Sequence, residues 1–173
     1  MGEVIIENET IYLNPTIEVK TLFEKKRMKE EVINKDLKDI SVYANVVNNE
    51  EVKYIPSDFK GIGLYRTEFI LMNEEYAFDY LKQAAIYMEA LEMMAGKPIT
   101  FRTFDFGGDK QVEYLPHLKK GIENYYVYRK LFENQIKALL VASKKFPNQV
   151  RIMFPMIETF KQYQELKKAV VKL

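Results

Sequence analysis

The sequence contains no cysteine and no tryptophan, and its only histidine is His117. Without cysteine, the chain can form no disulfide, no thiolate nucleophile and no cysteine-based metal site. Its 26 lysine and arginine residues are balanced by 25 aspartate and glutamate residues, so the formal net charge is only +1. That balance gives no general attraction to nucleic acid or to an acidic membrane. Any anion-binding site must therefore be built locally from a few side chains.

Long apolar runs are missing as well. No signal-peptide core occurs in the opening residues, MGEVIIENETIYLNP, and no apolar run is long enough to cross a bilayer. We therefore expect a cytoplasmic protein that partners neither nucleic acid nor membrane. What the chain does have is 173 residues, of which 47% are hydrophobic and 29% charged. This is enough for one domain with a substantial core.

The first 39 residues differ in pattern from the rest. Two short strands, VII and IYL, are predicted within residues 4–13, joined by a polar turn. Asn14-Pro15-Thr16 is typical of a helix start. From Thr16 to about Asp39 the pattern is helical but very polar, which predicts a linker helix rather than part of a core.

From Ile40 onward, apolar strands alternate with helices. The predicted strands are ISVYANVV, GIGLYR, PITFRTF and VRIMFPM. Helices are predicted for residues 73–95 and 158–173 and around residues 132–140, with a short one within residues 48–60. Continuous apolar strands that alternate with helices indicate βαβ units and a parallel sheet covered on both faces. The predicted fold class is therefore α/β.

Two of these helices show apolar residues at helical spacing. In the helix of residues 73–95, the predicted buried face consists of Phe78, Leu81, Ala85, Met88 and Leu91. In the later helix, the predicted face consists of Phe132, Ile136, Leu139 and Leu140.

Arginines end the apolar runs of two successive predicted strands, GIGLYR and PITFR. Arg66 and Arg102 should therefore lie at the carboxyl ends of parallel strands, where ligands of α/β proteins bind. A guanidinium stays charged, and its planar fork of donors matches phosphate or carboxylate oxygens. A single arginine at a strand end is most often an ion-pair partner. The same placement on two consecutive strands instead favours an anion site that grips one phosphoryl group.

Further polar and small residues adjoin the two arginines. Thr67 and Thr103 add hydroxyl donors beside them. Gly107 and Gly108 let the backbone turn close to a ligand without a Cβ penalty. The remaining supporting residues, which would orient the arginines or add a positive charge, are Asp105, Asp109 and Lys110.

Other candidates have simpler explanations. His117 lies in the polar stretch YLPHLKK, which predicts an exposed loop histidine rather than a catalyst. Glu158 is a candidate metal ligand, but its position at the start of the last helix is sufficient to explain it. The sequence contains neither a Walker lysine motif nor a dinucleotide-binding glycine fingerprint.

Three stretches, GIGLYRTEFILM, PITFRTFDFGGDK and VRIMFPMIET, closely resemble three consecutive signatures of the phosphoenolpyruvate (PEP)-utilising enzymes. The resemblance is nearest to the PEP–protein phosphotransferases, enzyme I of the bacterial sugar phosphotransferase system. Pyruvate phosphate dikinase and PEP synthase share the barrel but are less similar in these motifs. The stretch IYLNPTIEV resembles the junction that precedes the family's linker helix, so the resemblance covers the chain from about Val4.

The resemblance implies a domain order. Residues 1–14 would be the last strands of a phosphohistidine domain, residues 15–39 a linker helix, and residues 40–173 the first half of a PEP-binding (β/α)8 barrel. A whole barrel needs roughly 250 residues, so about four βα units imply a partial barrel and a fragment of a longer enzyme. Its open edges favour self-association. The residues expected to face the open interior are Val46, Leu64, Phe101 and Met153.

The resemblance also assigns residues. Arg66 and Arg102 correspond to two arginines that hold the phosphate of PEP. Arg129 resembles a third, although the family's ENPFLGWR reads ENYYVYR here, one residue shorter. Asn45 matches an asparagine of the family's first barrel strand, without the glycine that usually follows.

The implied activity is transfer of the PEP phosphoryl group to a protein histidine and then to the histidine-containing phosphocarrier protein. The family's phosphoacceptor histidine, catalytic cysteine and magnesium-binding acidic residues belong to motifs that do not occur in this sequence. The full-length family enzyme uses Mg²⁺, whereas this chain alone is expected to supply no metal ligand, no catalytic residue and no turnover. Alternatives are a catalytically dead PEP or anion sensor, a half-barrel interaction module, or a fragment of a dikinase-like or PEP synthase-like enzyme.

Overall fold

The computed structural model describes residues 4–7, 10–21, 40–106, 112–119 and 123–173. The chain divides into two compact units, Met1–Ser41 and Val42–Leu173. In the first unit, β1 (Val4–Glu7) pairs antiparallel with β2 (Thr10–Leu13), and residues 17–21 are helical. The rest of the predicted linker helix lies outside the described residues. The domain order inferred from the sequence stays a prediction.

The second unit is built on a four-stranded parallel sheet. Its strands lie in the order β3-β4-β5-β6, and each is parallel to its neighbour. The sheet confirms the predicted α/β class. The bounds are β3 (Ala44–Val46), β4 (Ile62–Arg66), β5 (Ile99–Arg102) and β6 (Val150–Met153).

Helices follow the strands as the alternating pattern predicts. Their bounds are α1 (Asn49–Val52), α2 (Glu68–Leu71), α3 (Glu74–Ala77), α4 (Tyr80–Met93), α5 (Glu123–Val127), α6 (Arg129–Lys145) and α7 (Phe160–Val171). The helix predicted for residues 73–95 is interrupted before α4, because the Asp79 carboxylate accepts from the backbone N–H groups of Leu81 and Lys82 and caps a new helix. Among the described helices, none is long and apolar enough to cross a membrane.

The buried face of α4 differs from the predicted one. Phe78, Leu81 and Ala85 are exposed, so the prediction is wrong for these three, whereas it is confirmed for Leu91, which is fully buried. Most of the buried residues of α4 lie one position earlier in the chain than predicted. They are small or hydrogen-bonding side chains rather than the largest apolar ones. The buried members of α4 are Gln83, Ala84, Tyr87, Ala90 and Leu91. In α6 the prediction is confirmed for Phe132, Ile136 and Leu139, which are all buried.

The two faces of the sheet have different surroundings. Val46, Tyr65 and Phe101 are at most 3% exposed and pack into a core with residues of α4 and α6; we call their side the helix-covered face. Successive side chains of a strand point to opposite sides. The other side, the open face, carries Asn45, Arg66, Arg102, Arg151 and Met153. Asn45, Arg151 and Met153 are exposed, so the prediction of a sheet covered on both faces is wrong.

This alternation corrects the residues predicted to face a barrel interior. Val46 and Phe101 are buried against helices, so the prediction is wrong for both. Met153 is 37% exposed and Leu64 is partly exposed, as expected for the open face.

Gly61 sets the spacing where β4 begins. Its φ is +150°, and a Cβ at this position would lie 2.3 Å from the carbonyl oxygen of Pro98. The next residue, Ile62, donates its N–H to that same oxygen at 2.9 Å. Glycine is required here because any side chain would push β5 away. The close approach fixes the start of the β4–β5 pairing. The register then shifts between Ile62 and Tyr65, and the pairing resumes at the carboxyl ends with Arg66 opposite Arg102.

Candidate anion site

The structure brings the two predicted arginines side by side. Arg66 and Arg102 are direct partners in the parallel pairing of β4 and β5, so both side chains leave the same face at the carboxyl ends of adjacent strands. In both, Nε is buried without a hydrogen-bond partner among the described residues. Buried donors in native proteins are almost always paired. The partners of these two donors are therefore expected outside the described residues, in a ligand, a water molecule or the rest of the chain.

Arg102 is held by two carboxylates. Its Nη2 donates to Glu68 Oε1 at 2.9 Å, and its Nη1 lies 3.2 Å from Asp105 Oδ2. The backbone N–H of Asp105 also donates to Glu68 Oε1, at 3.0 Å. Two guanidinium groups and two carboxylates leave this cluster electrically neutral before any anion binds. Asp105 thus forms an ion pair with Arg102, three positions earlier in the chain.

Glu68 was not identified from the sequence as a site residue. Its side chain is only 1% exposed, and its second oxygen, Oε2, has no hydrogen-bond partner among the described residues. A buried carboxylate is tolerated when a cation and hydrogen bonds compensate its lost hydration. Its position could have identified it, because Glu68 directly follows Arg66 and Thr67 at the end of a strand, next to other charged residues.

Thr67 supports the site through the backbone. Its hydroxyl donates to the carbonyl oxygen of Arg102 at 2.8 Å and accepts from Gln135 Nε2 at 2.7 Å. The hydroxyl proton expected to serve a ligand is therefore used to join β4 to β5. Thr103 is 3% exposed, and its backbone N–H donates to the carbonyl oxygen of Met153 at 2.9 Å. Both threonines hold the strand ends together.

Gln135 of α6 completes this internal network, and the sequence reading missed it. It is fully buried. Its Oε1 accepts from the Phe104 N–H at 3.0 Å, and its Nε2 reaches both Thr67 and, at 3.4 Å, the Tyr87 hydroxyl. Tyr87 in turn donates to Gln83 at 3.2 Å, and burial raises the pKa of its phenol. A glutamine on an otherwise apolar helix face was the signal that could have revealed it.

The structure describes only the flanks of the glycine-rich loop. Gly107, Gly108, Asp109 and Lys110 lie outside the described residues. Their flanks are anchored by Asn124, a buried side chain that donates to the carbonyl oxygens of Phe106 and Lys119 at 2.9 and 2.6 Å. The same asparagine accepts from the Lys119 N–H at 2.7 Å.

Two other predicted residues do not contact the arginine pair through any described hydrogen bond or ion pair. Arg129 begins α6 with a side chain that is 69% exposed, and its Nε donates to Glu133 Oε1 at 2.9 Å. This hydrogen bond raises the pKa of the Arg129 guanidinium. Asn45 is exposed on β3, separated from Arg102 by β4. Their roles in binding stay predictions.

His117 and Glu158 are both exposed. His117 lies in a loop, as predicted, and its backbone N–H donates to the Tyr128 hydroxyl at 3.0 Å. Glu158 precedes α7, whose capping box is formed by Thr159 and Gln162. The start of the helix accounts for this segment.

The described residues do not provide a metal site. No group of three or more histidine, aspartate or glutamate side chains among them is arranged to hold an ion. Glu68 and Asp105, the carboxylates of the site, are both used by Arg102. This donor set does not fit magnesium.

Comparison with known proteins decides the family. Residues 22–173 match the PEP-binding domain of the PEP-utilising enzymes. The chain belongs to this family. The resemblance inferred from the three sequence motifs is thereby confirmed.

Several curated relatives of the chain are named PEP–protein phosphotransferase. The chain is 32% identical to the one from Priestia megaterium over 96% of its own length and 31% of the relative's. Identity is 34% to the Bacillus subtilis (strain 168) protein, over 82% and 26% of the two chains. It is 36% to the Latilactobacillus sakei protein, over 80% and 25%. The chain thus spans about a third or less of the length of these relatives.

For a PEP-binding domain, the arginine pair has suitable chemistry. Guanidinium groups on adjacent strands can donate to one anion from two directions and neutralise its charge. The network of Thr67 and Gln135 fixes the strand ends that carry them. The described cluster contains charged groups for binding and no obvious nucleophile.

Proposed function

We propose that this chain is the PEP-binding part of a PEP–protein phosphotransferase. In this proposal Arg66 and Arg102 hold the phosphoryl group of PEP. The observation that carries it is the direct pairing of the two arginines on β4 and β5, each with a buried Nε that has no partner among the described residues. The family match and the named relatives support the choice of ligand.

The reaction of the whole enzyme would move the phosphoryl group from PEP to a protein histidine and then to a phosphocarrier protein of the sugar phosphotransferase system, in the cytoplasm. Phosphoryl transfer relies on positioning and on neutralising the charge of the phosphoryl oxygens. Arg66 and Arg102 would supply part of that neutralisation. The accepting histidine and the ligands for magnesium would come from outside the described residues.

Calorimetric titration with PEP tests the proposal. Arg66→Ala removes one guanidinium, and Arg102→Lys removes the planar fork while leaving a cation beside the buried Glu68. Losing one member of a charge-assisted contact typically costs about 2–5 kcal/mol. In an open site we expect the lower end, or roughly 30-fold weaker binding for each variant.

The matched control is Arg151→Ala, which removes an exposed arginine from the same open face. It should bind PEP as the parent protein does. Equal affinities in the parent protein and in both site variants would refute the assignment of the arginines. Equal weakening in the control would show a general electrostatic effect instead of a site.

We also propose that the chain alone does not turn over. His117 is exposed in a loop and lies at no described contact with Arg66 or Arg102. Incubation with phosphate-labelled PEP and magnesium should leave the protein unlabelled. Acid-labile label on His117 would contradict this.

A second candidate function, a half-barrel interaction module, is favoured by the exposed edge at β6. Met153, Met156 and Phe160 are 37%, 59% and 72% exposed beside this edge of the described sheet. Exposed apolar edges promote association. Light scattering over a concentration series should show self-association of the 173-residue chain. A monomeric mass at tens of micromolar without binding of a hydrophobic dye would exclude it.

A further inference from the structure

The two carboxylates that hold Arg102 differ in burial. Glu68 is 1% exposed and Asp105 is 25% exposed. They also differ in bonding. Glu68 Oε1 accepts from Arg102 Nη2 at 2.9 Å and from the Asp105 N–H at 3.0 Å. The Asp105 carboxylate has the longer contact, 3.2 Å to Arg102 Nη1.

This difference predicts different persistence. A buried carboxylate beside a guanidinium cannot leave without exposing an uncompensated charge to a poorly hydrated interior. A carboxylate with access to water can leave, because hydration replaces most of what the ion pair supplied. Glu68 is therefore a fixed partner of Arg102, and Asp105 an exchangeable one.

We propose that Glu68 is a positioning residue that orients Arg102, whereas Asp105 occupies, before ligand binds, the Nη1 donor that a phosphoryl oxygen then takes. The inference rests on the proposed function, since it assumes that the phosphoryl group of PEP binds at Arg66 and Arg102. The inference assigns separate roles to Glu68 and Asp105, although their negative charge alone would suggest that both weaken the binding of an anion.

The displacement follows from the chemistry of the donor. Carboxylate and phosphate oxygens bind a guanidinium in the same planar geometry, so they compete for one N–H. Phosphate carries more charge than a carboxylate and can also reach Arg66, which has no ion-pair partner among the described residues. Asp105 then moves into solvent, while Glu68 keeps Nη2 in place.

Opposite effects on affinity follow. Glu68→Gln retains size and an oxygen that can accept from Arg102, but it removes the charge that holds the guanidinium. It should weaken PEP binding about tenfold, a loss comparable to about one charge-assisted contact. Asp105→Asn removes a competitor and should tighten binding about threefold, the scale of an exposed ion pair. Glu92→Gln, in the exposed pair with Lys145, should leave affinity unchanged.

The experiment combines calorimetry with nitrogen NMR of the arginine side chains in the full 173-residue chain. The calorimetric probes are PEP and inorganic phosphate. In the parent protein, added phosphate should shift the Arg102 Nη1 signal and leave Nη2 unchanged. In ligand-free Glu68→Gln, the Nη signals should merge because the guanidinium rotates more freely. A purely structural role for Glu68 would not produce this site-specific pattern.

Each outcome decides the inference. Weaker binding in Glu68→Gln with tighter binding in Asp105→Asn supports it. Weakening in both variants, unchanged affinity in folded Glu68→Gln, or a phosphate-induced shift at Nη2 overturns it and leaves the proposed function standing. If Glu68→Gln does not fold, the Asp105→Asn titration and the parent spectra decide. No binding of either probe by the parent protein would overturn the proposed function together with this inference.

Discussion

The helix-covered face and the open face of the sheet are made by the same strands. Tyr65 and Phe101 are fully buried among helices, while the next residues, Arg66 and Arg102, carry the candidate site on the other side. Neighbours in a strand point to opposite faces. One short strand can therefore supply stability with one residue and binding with the next. Substitutions one position apart should therefore act differently: loss of Phe101 removes packing, whereas loss of Arg102 removes a binding group and leaves the buried Glu68 without its cation.

The largest effect on stability is expected on the helix-covered face. Phe101→Ala removes a fully buried ring that contacts the rings of Tyr65 and Tyr87. It should lower the free energy of unfolding by about 3–5 kcal/mol. Arg151→Ala, exposed on the open face, should change it by less than about 0.5 kcal/mol. Urea unfolding of both variants provides the measurement. Similar losses in the free energy of unfolding would contradict the proposed difference between the two faces.

Arg102→Ala tests whether a residue of the open face also contributes to the stability of the fold. Because it leaves the buried Glu68 carboxylate without its cation, we expect a loss of about 3 kcal/mol in the free energy of unfolding. Adding Glu68→Gln should recover part of that loss. A double-mutant cycle by urea unfolding measures the coupling. Strict additivity would mean that the pair contributes no coupling to stability.

Gln135→Leu tests the network that connects the two faces. The variant leaves the Phe104 N–H without its acceptor and removes the donor to Thr67. Each unsatisfied buried group costs about 1–3 kcal/mol, and the apolar side chain recovers part of this, so we expect a net loss of about 2 kcal/mol. Gln164→Leu on the exposed side of α7 is the control. Equal unfolding midpoints for the two variants would show that the hydrogen bonds of Gln135 do not contribute to stability.

As pH rises into the alkaline range, the buried tyrosines should ionise after the exposed ones. Burial raises the pKa of Tyr114 to about 12 and also raises those of Tyr65 and Tyr87. A raised pKa in the folded state means that the associated stability is present below the unfolded value, about 10, and is lost as pH rises towards and beyond 12. Phenolate absorbance should therefore show late-ionising tyrosines. Ionisation of all tyrosines near pH 10 without unfolding would contradict the buried core.

The sequence predicted the parallel α/β fold because continuous apolar strands separated by helices allow few other arrangements. It also predicted the place of Arg66 and Arg102, since parallel strands present their carboxyl ends at one edge. Burial of individual residues was harder to predict. Val46 and Phe101 were assigned to the wrong face, because an all-apolar run does not reveal which residues of a strand face the helices.

The polar support of the site was not predictable for a related reason. Gln135 and Thr67 are 68 positions apart in the chain, and Glu68 reaches a guanidinium 34 positions away. Local patterns do not encode which distant side chains meet. Leu91 of the α4 face was predicted correctly, but the rest was missed because alanines and Tyr87, rather than Leu81, fill the space against the sheet and α6.

The central claim, that Arg66 and Arg102 together hold a phosphoryl group on the open face, is tested most directly by a crystal structure of the chain with PEP bound. The phosphoryl oxygens should lie within hydrogen-bonding distance of both guanidinium groups, about 2.7–2.9 Å from their nitrogens. The carboxylate of Asp105 should no longer occupy Arg102 Nη1, while Glu68 should remain on Nη2. PEP bound elsewhere, or contacting neither arginine, would contradict the account.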